Sequence, residues 1–172
     1  MRNLDNELLQ QLYQRYRREL YLYIYSLCRN HSMVEDILHD TFLKAILSLP
    51  DYHTNMQAWL YVVARNLCFN SLKKNRKMVL TEQVQDLQDS RQIRENLLDA
   101  FVVKEQKQQL YEALFKLPEQ KREVLLLQYF SRFSQKEIAA ILHLTPENVR
   151  VLSYRGKKEL KSILEVYDND IS

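Results

Sequence analysis

One glycine and three prolines in 172 residues constrain this chain more than anything else it contains. Tight hairpin turns draw on residues that tolerate positive φ or arrive with φ already set, so an all-β protein cannot be assembled from this supply. A glycine-rich loop wrapped around a phosphate is excluded for the same reason. Leu, Gln, Lys, Arg and Glu are abundant instead, residues that lose little side-chain freedom in a helix. The sequence predicts an all-α fold.

The distribution of charge divides that helical text. The net formal charge is only +3, but residues 1–80 carry 11 Lys/Arg against 7 Asp/Glu, residues 81–109 carry 4 against 6, and residues 110–172 carry 10 against 9. The acidic middle has scattered apolar residues and no helical stripe, which predicts a flexible linker over residues 79–100 between two small helical domains, 1–78 and 101–172. Cys28 and Cys68 are too few for a secreted disulfide framework and read as buried thiols in a reducing cytosol. Residues 1–10 lack the apolar centre of a signal peptide, and no apolar run approaches the ~18 residues of a membrane span. A cytoplasmic protein without membrane insertion is expected.

In the first domain, Leu8, Leu9, Leu12, Tyr13, Tyr16, Leu20, Tyr23, Ile24, Leu27 and Cys28 form the stripe of a long amphipathic helix. A second helix is predicted to open on a Ser32/Glu35 capping box and bury Val34, Ile37, Leu38, Phe42, Ala45 and Ile46 before stopping ahead of Pro50. A Thr54/Gln57 box is predicted to open a third, with Trp59, Leu60, Val63 and Leu67 on its apolar face. Its other face carries Arg65, Asn66, Phe69, Asn70, Lys73 and Lys74. From Arg65 to Lys77 five basic residues occur with no acid between them. With Trp59, Tyr61 and Phe69 they combine attraction for phosphate with flat surfaces on which unstacked bases can rest.

Four helices are predicted in the second domain, over residues 102–117, 118–130, 134–142 and 145–166. Pro118 and Pro146 suit first helical positions, where a missing N–H is harmless. Ser134 and Glu137 form a third capping box, and after a turn at His143 and Leu144 a new helix starts at Thr145 and Pro146. Short helix, tight turn and capped helix make a helix-turn-helix. With Val149, Leu152, Leu160 and Leu164 facing inward, the last helix presents Asn148, Arg150, Ser153, Tyr154, Arg155 and Lys158, a face that suits a major groove. The plainer reading is an αα-corner with a solvated charged face.

Four stretches in order resemble the extracytoplasmic-function sigma factors of bacterial RNA polymerase, over nearly the whole chain. Residues 34–45 (VEDILHDTFLKA) are similar to the helix with which that family docks on the polymerase clamp. Residues 58–67 (AWLYVVARNL), with the basic tail to Lys77, are similar to its promoter-melting helix. Residues 117–124 (LPEQKREV) and 134–141 (SQKEIAAI) are similar to its minus-thirty-five domain. The resemblance implies a sigma region 2 bundle and a sigma region 4 helix-turn-helix, with core RNA polymerase, promoter DNA and an anti-sigma factor as partners. It places Asp36, Asp40 and Phe42 at the polymerase. Tyr52, Trp59, Arg65, Asn66, Phe69, Lys73 and Lys74 fall at the minus-ten element, and Asn148, Arg150, Ser153, Tyr154, Arg155 and Lys158 at the minus-thirty-five element. His39 and Asp40 stand where the family usually has Gln-Glu, and His143 takes the place of the usual turn glycine.

Other chemistries find less support. His31, Glu35, Asp36, His39 and Asp40 have helical spacings that could hold a metal, but no second His/Asp cluster accompanies them. The two cysteines are not read as a Cys–His nucleophile, and no Ser sits in a glycine-flanked turn. No catalytic residue, metal or cofactor is expected. The competing reading within DNA binding is a conventional dimeric helix-turn-helix regulator that binds palindromic duplexes without polymerase.

Overall fold

Helix boundaries here follow from which side chains cap the backbone. The structure, a computed structural model, describes the backbone of residues 2–48, 55–79 and 105–171 and the side chains of residues 6–47, 55–76 and 108–166. Every regular element among the described residues is helical, as the composition predicts. The chain divides into two compact units, Met1–Val84 and Gln85–Ser172. The predicted linker lies outside the described residues apart from Val79, which ends a helix.

Unit 1 contains α1 (Arg2–Cys28), α2 (His31–Ser48) and α3 (Met56–Val79). The predicted α1 stripe enters the core only in its C-terminal half. Leu20 to Tyr25 are six consecutive buried residues, so α1 is enclosed on every side there, whereas Leu8 and Tyr13 are exposed. α2 runs antiparallel to α1: Arg17 pairs with Glu35 at 3.2 Å, and the Tyr13 and Phe42 rings meet edge-on with centroids 5.2 Å apart. α3 runs parallel to α1, with Gln57 donating to Glu19 at 3.4 Å and the Tyr23 and Tyr61 rings 5.1 Å apart.

The capping box predicted at Ser32 is corrected, and the one predicted at Thr54 falls partly outside the described residues. Arg29 adopts a left-handed conformation (φ 53°) and donates its N–H to the Tyr25 carbonyl at 2.8 Å. That turn brings Asn30 to the start of α2, where its Oδ1 accepts the Met33 N–H at 3.1 Å. Asn caps as well as Ser does, so Ser32 is not needed and Glu35 is free to face Arg17. At α3, Asn55 Oδ1 accepts the Ala58 N–H at 3.1 Å, while Thr54 lies outside the described residues. The buried stripe of α3 shifts by one to Leu60, Tyr61, Ala64 and Cys68, leaving Trp59, Val63 and Leu67 half-buried.

Unit 2 contains α4 (Glu105–Lys116), α5 (Glu119–Leu125, continuing as a π turn over Leu126–Phe130), α6 (Gln135–Leu142) and α7 (Pro146–Ile171). Pro118 is the N-cap residue of α5, with extended ψ 146°, rather than its first helical residue. The Arg122 guanidinium binds the Leu117 carbonyl at 3.2 Å and the Phe115 carbonyl at 3.5 Å, tying α5 to the exit of α4. The π turn closes with Ser131 N–H on the Leu126 carbonyl at 3.2 Å, and Arg132 (φ 60°) ends it. Ser134 caps α6 as predicted, accepting the Glu137 N–H at 3.1 Å and donating to the Glu137 carboxylate at 3.1 Å.

Candidate nucleic-acid interface and docking face

α6 and α7 form a helix-turn-helix whose turn is built without glycine. His143 holds φ 57° and ψ 44°, a left-handed conformation costing on the order of 1 kcal/mol in a non-glycine residue, and Leu144 N–H closes the turn on the Ala139 carbonyl at 2.9 Å. Thr145 Oγ1 then accepts the Asn148 N–H at 3.2 Å, with Pro146 as the first residue of α7.

α7 turns its small residues inward. A Cβ on Gly156 would stand 3.2 Å from Leu125 Cδ1 and 3.3 Å from its Cγ, so the backbone of α7 itself packs on α5. One turn earlier Ser153 donates to Gln128 Oε1 at 2.5 Å, and Val149 is fully buried. On the far side of Gly156, Lys121 and Glu159 pair at 2.7 Å. Ser153, predicted on the DNA face, is only 3% exposed and belongs to this inner seam. Asn148, Arg150, Tyr154, Arg155 and Lys158 are all exposed, as are Glu147, Val151 and Lys157. Positions 147, 150, 151, 154, 155 and 158 make one continuous helical face. Lys157 lies over the Tyr129 ring, 5.1 Å from its centroid, so Tyr129 borders that face, a residue the sequence reading missed because it closes the preceding helix.

In unit 1 the outward face of α3 carries Asn66, Asn70, Lys73 and Lys74, all exposed. Arg65 lies 4.5 Å over the centroid of Phe69, and both are half-buried, as is Trp59. One face of the Phe69 ring is thereby covered by a guanidinium. Tyr61, predicted as a stacking surface, is fully buried against Tyr23. Tyr52 and most of its loop lie outside the described residues.

On α2 the three predicted docking residues separate. Asp36 and Asp40 are exposed, but Phe42 is 3% exposed and packs into α1. Phe42 is thus buried, as the predicted stripe of α2 has it, and holds α2 against α1. Leu43 and Leu47, 41% and 81% exposed, were missed. Spacings of four, three and four residues put Asp36, Asp40, Leu43 and Leu47 on a single stripe. The signal lay in the residues left over once the buried stripe is assigned.

The metal arrangement weighed from the sequence does not form. His31 engages the Tyr21 hydroxyl through Nδ1, its ring lies beside Tyr25, and Glu35 is paired with Arg17. Among the described residues no three His, Cys, Asp or Glu side chains converge as ligands, and no helix is long and apolar enough to cross a membrane.

Comparison with known proteins follows the same division. A family profile described as Sigma-70 region 2 matches residues 12–78, and one described as Sigma-70, region 4 matches residues 107–160, one in each unit. The chain is 28% identical to the ECF RNA polymerase sigma factor SigM of Bacillus subtilis, over 93% of its own length and 97% of that protein. It is 29% identical to the RNA polymerase sigma factor YlaC of the same organism, over 89% and 90% of the two chains. Among solved structures, the sigma factor RpoE of Bartonella quintana, crystallised with the anti-sigma factor NepR, shares the fold. Its TM-score is 0.70 at 23% identity, covering 96% of this chain and 99% of that one.

Proposed function

Since the chain belongs to the sigma-70 family of RNA polymerase sigma factors, in its extracytoplasmic-function group, we propose that it binds core RNA polymerase and directs initiation at promoters recognised through their minus-ten and minus-thirty-five elements. The observation that carries this reading is the exposed face of α7, with two arginines, a lysine and an asparagine on one side of a helix held rigidly from the other.

In this reading residues 101–172 read the upstream duplex. Asn148 and Arg150, near the start of α7, reach base edges, while Arg155 and Lys158 neutralise phosphates and Tyr154 packs on the groove wall. Ser153 contributes indirectly, by fixing the helix on Gln128. Residues 1–78 bind polymerase and the opened strand, and residues 79–100 join the two. The Asp36–Asp40–Leu43–Leu47 stripe docks on polymerase, its leucines supplying apolar area and its acids the orientation. The basic face of α3, with Lys73 and Lys74, attracts the backbone. Asn66, Trp59, the Arg65–Phe69 plane and Tyr52 receive bases turned out of the stack, so that capture of the open strand draws the duplex toward melting. RNA synthesis stays with polymerase. An anti-sigma protein is proposed as a partner by likeness to the Bartonella protein, and the cytoplasm as the place of action.

The test is transcription in vitro by core polymerase on a fragment upstream of this protein's own gene. Accurate initiation that appears with the protein and disappears in Asp40→Arg/Leu47→Asp supports the reading. A chain that adds no promoter-specific transcript, and instead binds a palindromic duplex as a dimer without polymerase, overturns it.

A further inference from the structure

The π turn at the end of α5 presents two successive residues to α7. Gln128 accepts the Ser153 hydroxyl at 2.5 Å, and Tyr129 lies under the Lys157 ammonium, 5.1 Å from ring centroid to nitrogen. Ser153 and Lys157 are four residues apart, so the two contacts hold one side of α7 a single turn from each other. The first is enclosed, Ser153 being almost fully buried. The second stands at the rim, where Tyr129 is 52% exposed and Lys157 is exposed too. π turns are rare and recur at functional sites.

The local sequence offers the Lys157 ammonium no acid. Ser153, Tyr154, Leu160 and Lys161 occupy the positions three and four residues from it along α7, and no Asp or Glu occurs from Val124 to Lys136 around Tyr129. Glu159, the acid closest in sequence, is paired with Lys121 at 2.7 Å. Lys157 follows Arg150 by seven residues and Tyr154 by three, which sets it at the border of the outer face. A helix lying in the major groove turns the middle of its outer face to the bases and its borders to the phosphate walls. A lysine gives up much rotamer freedom when its head is fixed on a partner. An aromatic ring beneath the ammonium fixes it beforehand and leaves its other side open to an anion.

We propose that Tyr129 is a positioning residue that aims the Lys157 ammonium at a phosphate of the duplex backbone. The contact adds affinity at any base sequence and sets how α7 lies in the groove. Lys157 makes the contact and Tyr129 acts through it. The inference rests on the reading of α7 as the helix that meets the upstream duplex.

The test assembles the full chain with core polymerase and measures binding to the fragment upstream of its own gene between about 50 and 200 mM salt. A lost phosphate contact releases fewer counterions, so Lys157→Gln should make the slope of log affinity against log salt shallower by about 0.9. Tyr129→Ala should weaken binding about two- to five-fold. The same factor should appear on a fragment with altered upstream-element bases, because no base is read through this contact. Adding Tyr129→Ala to Lys157→Gln should cost nothing more, and Tyr129→Phe, which keeps the ring, should restore the affinity. In the free Tyr129→Ala chain, the amides of α5 to α7 should keep their protection from hydrogen exchange. An unchanged salt slope in Lys157→Gln, losses that multiply in the double variant, a Tyr129→Phe chain as weak as Tyr129→Ala, or protection lost across α5 to α7 would each overturn the inference while the wild-type holoenzyme still holds the fragment. A wild-type holoenzyme that does not hold the fragment overturns the reading of α7 itself, and the inference with it.

Discussion

Unit 1 fills its interior with Tyr21, Tyr23, Tyr25 and Tyr61, whereas unit 2 relies mainly on aliphatic side chains such as Leu114, Leu125, Leu127, Ile138 and Val149. The aromatic interior is reached by burying one stretch of α1 on all sides. The aliphatic interior is reached by letting α7 approach α5 closely enough that only glycine fits without displacing Leu125. Large side chains bridge gaps between helices, so unit 1 tolerates irregular spacing and its apolar stripe is blurred. Close backbone contact demands a particular residue at a particular place, so the stripe of unit 2 is sharp.

That contrast can be broken in graded steps. Tyr61→Ala removes a fully buried ring and should destabilise unit 1 by about 3–5 kcal/mol. Hydrogen exchange resolved by residue should show the amides of α1 to α3 losing protection while those of α5 to α7 keep theirs. Loss of protection in both units would show that the two cores are not independent. Gly156→Val forces a branched side chain against Leu125 and should cost unit 2 about 1–3 kcal/mol, read from a denaturant midpoint monitored on α5 to α7. A neutral result would mean that Leu125 rotates away at little cost.

Capping sharpens the comparison at a smaller scale. Asn30→Ala and Ser134→Ala should each cost about 1 kcal/mol, one in each unit. Ser32→Ala should stay within about 0.5 kcal/mol, because its hydroxyl is not the cap. Equal losses at Asn30 and Ser32 would reinstate the box read from the sequence. Smallest of all, a double-mutant cycle on Arg17 and Glu35, both substantially exposed, should give a coupling of about 0.5 kcal/mol or less that fades with added salt.

The same contrast explains what could be read in advance. In unit 2 the Ser134 and Thr145 caps follow from local rules, because each is the one capping side chain that precedes its helix, while the left-handed His143 is marked only by the resemblance and the close packing at Gly156 shows only in the fold. In unit 1 the capping-box pattern points to a nearby residue. Ser32 is read as the cap where Asn30 serves, and the left-handed turn at Arg29, which decides that case, has no glycine to announce it. The inward stripe of α3 was displaced by one because Trp59 and Leu60 are both apolar, and only the Tyr23–Tyr61 contact across helices chooses between them. Among the candidate functional residues, the charged side chains of Asp36, Asp40, Lys73, Arg150 and Lys158 are exposed as read, while Arg65 is half-buried. Exposure was misread at Ser153, whose side chain suits an interior as well as a surface, whereas Phe42 is buried as its place in the predicted stripe of α2 requires. Leu43 and Leu47 were overlooked for the converse reason, since an apolar residue on a helix is first assigned to a core.

Gly156 and Ser153 bear on how such a protein diversifies. They hold α7 from beneath through a backbone approach and one hydroxyl, with no side chain of the outer face taking part in that seam. If α7 reads DNA as proposed, substitutions at Asn148, Arg150, Tyr154 or Arg155 would alter which nucleotide sequence is preferred while the scaffold stays intact, so descendants of one ancestral copy could acquire separate target sets without first regaining the ability to fold.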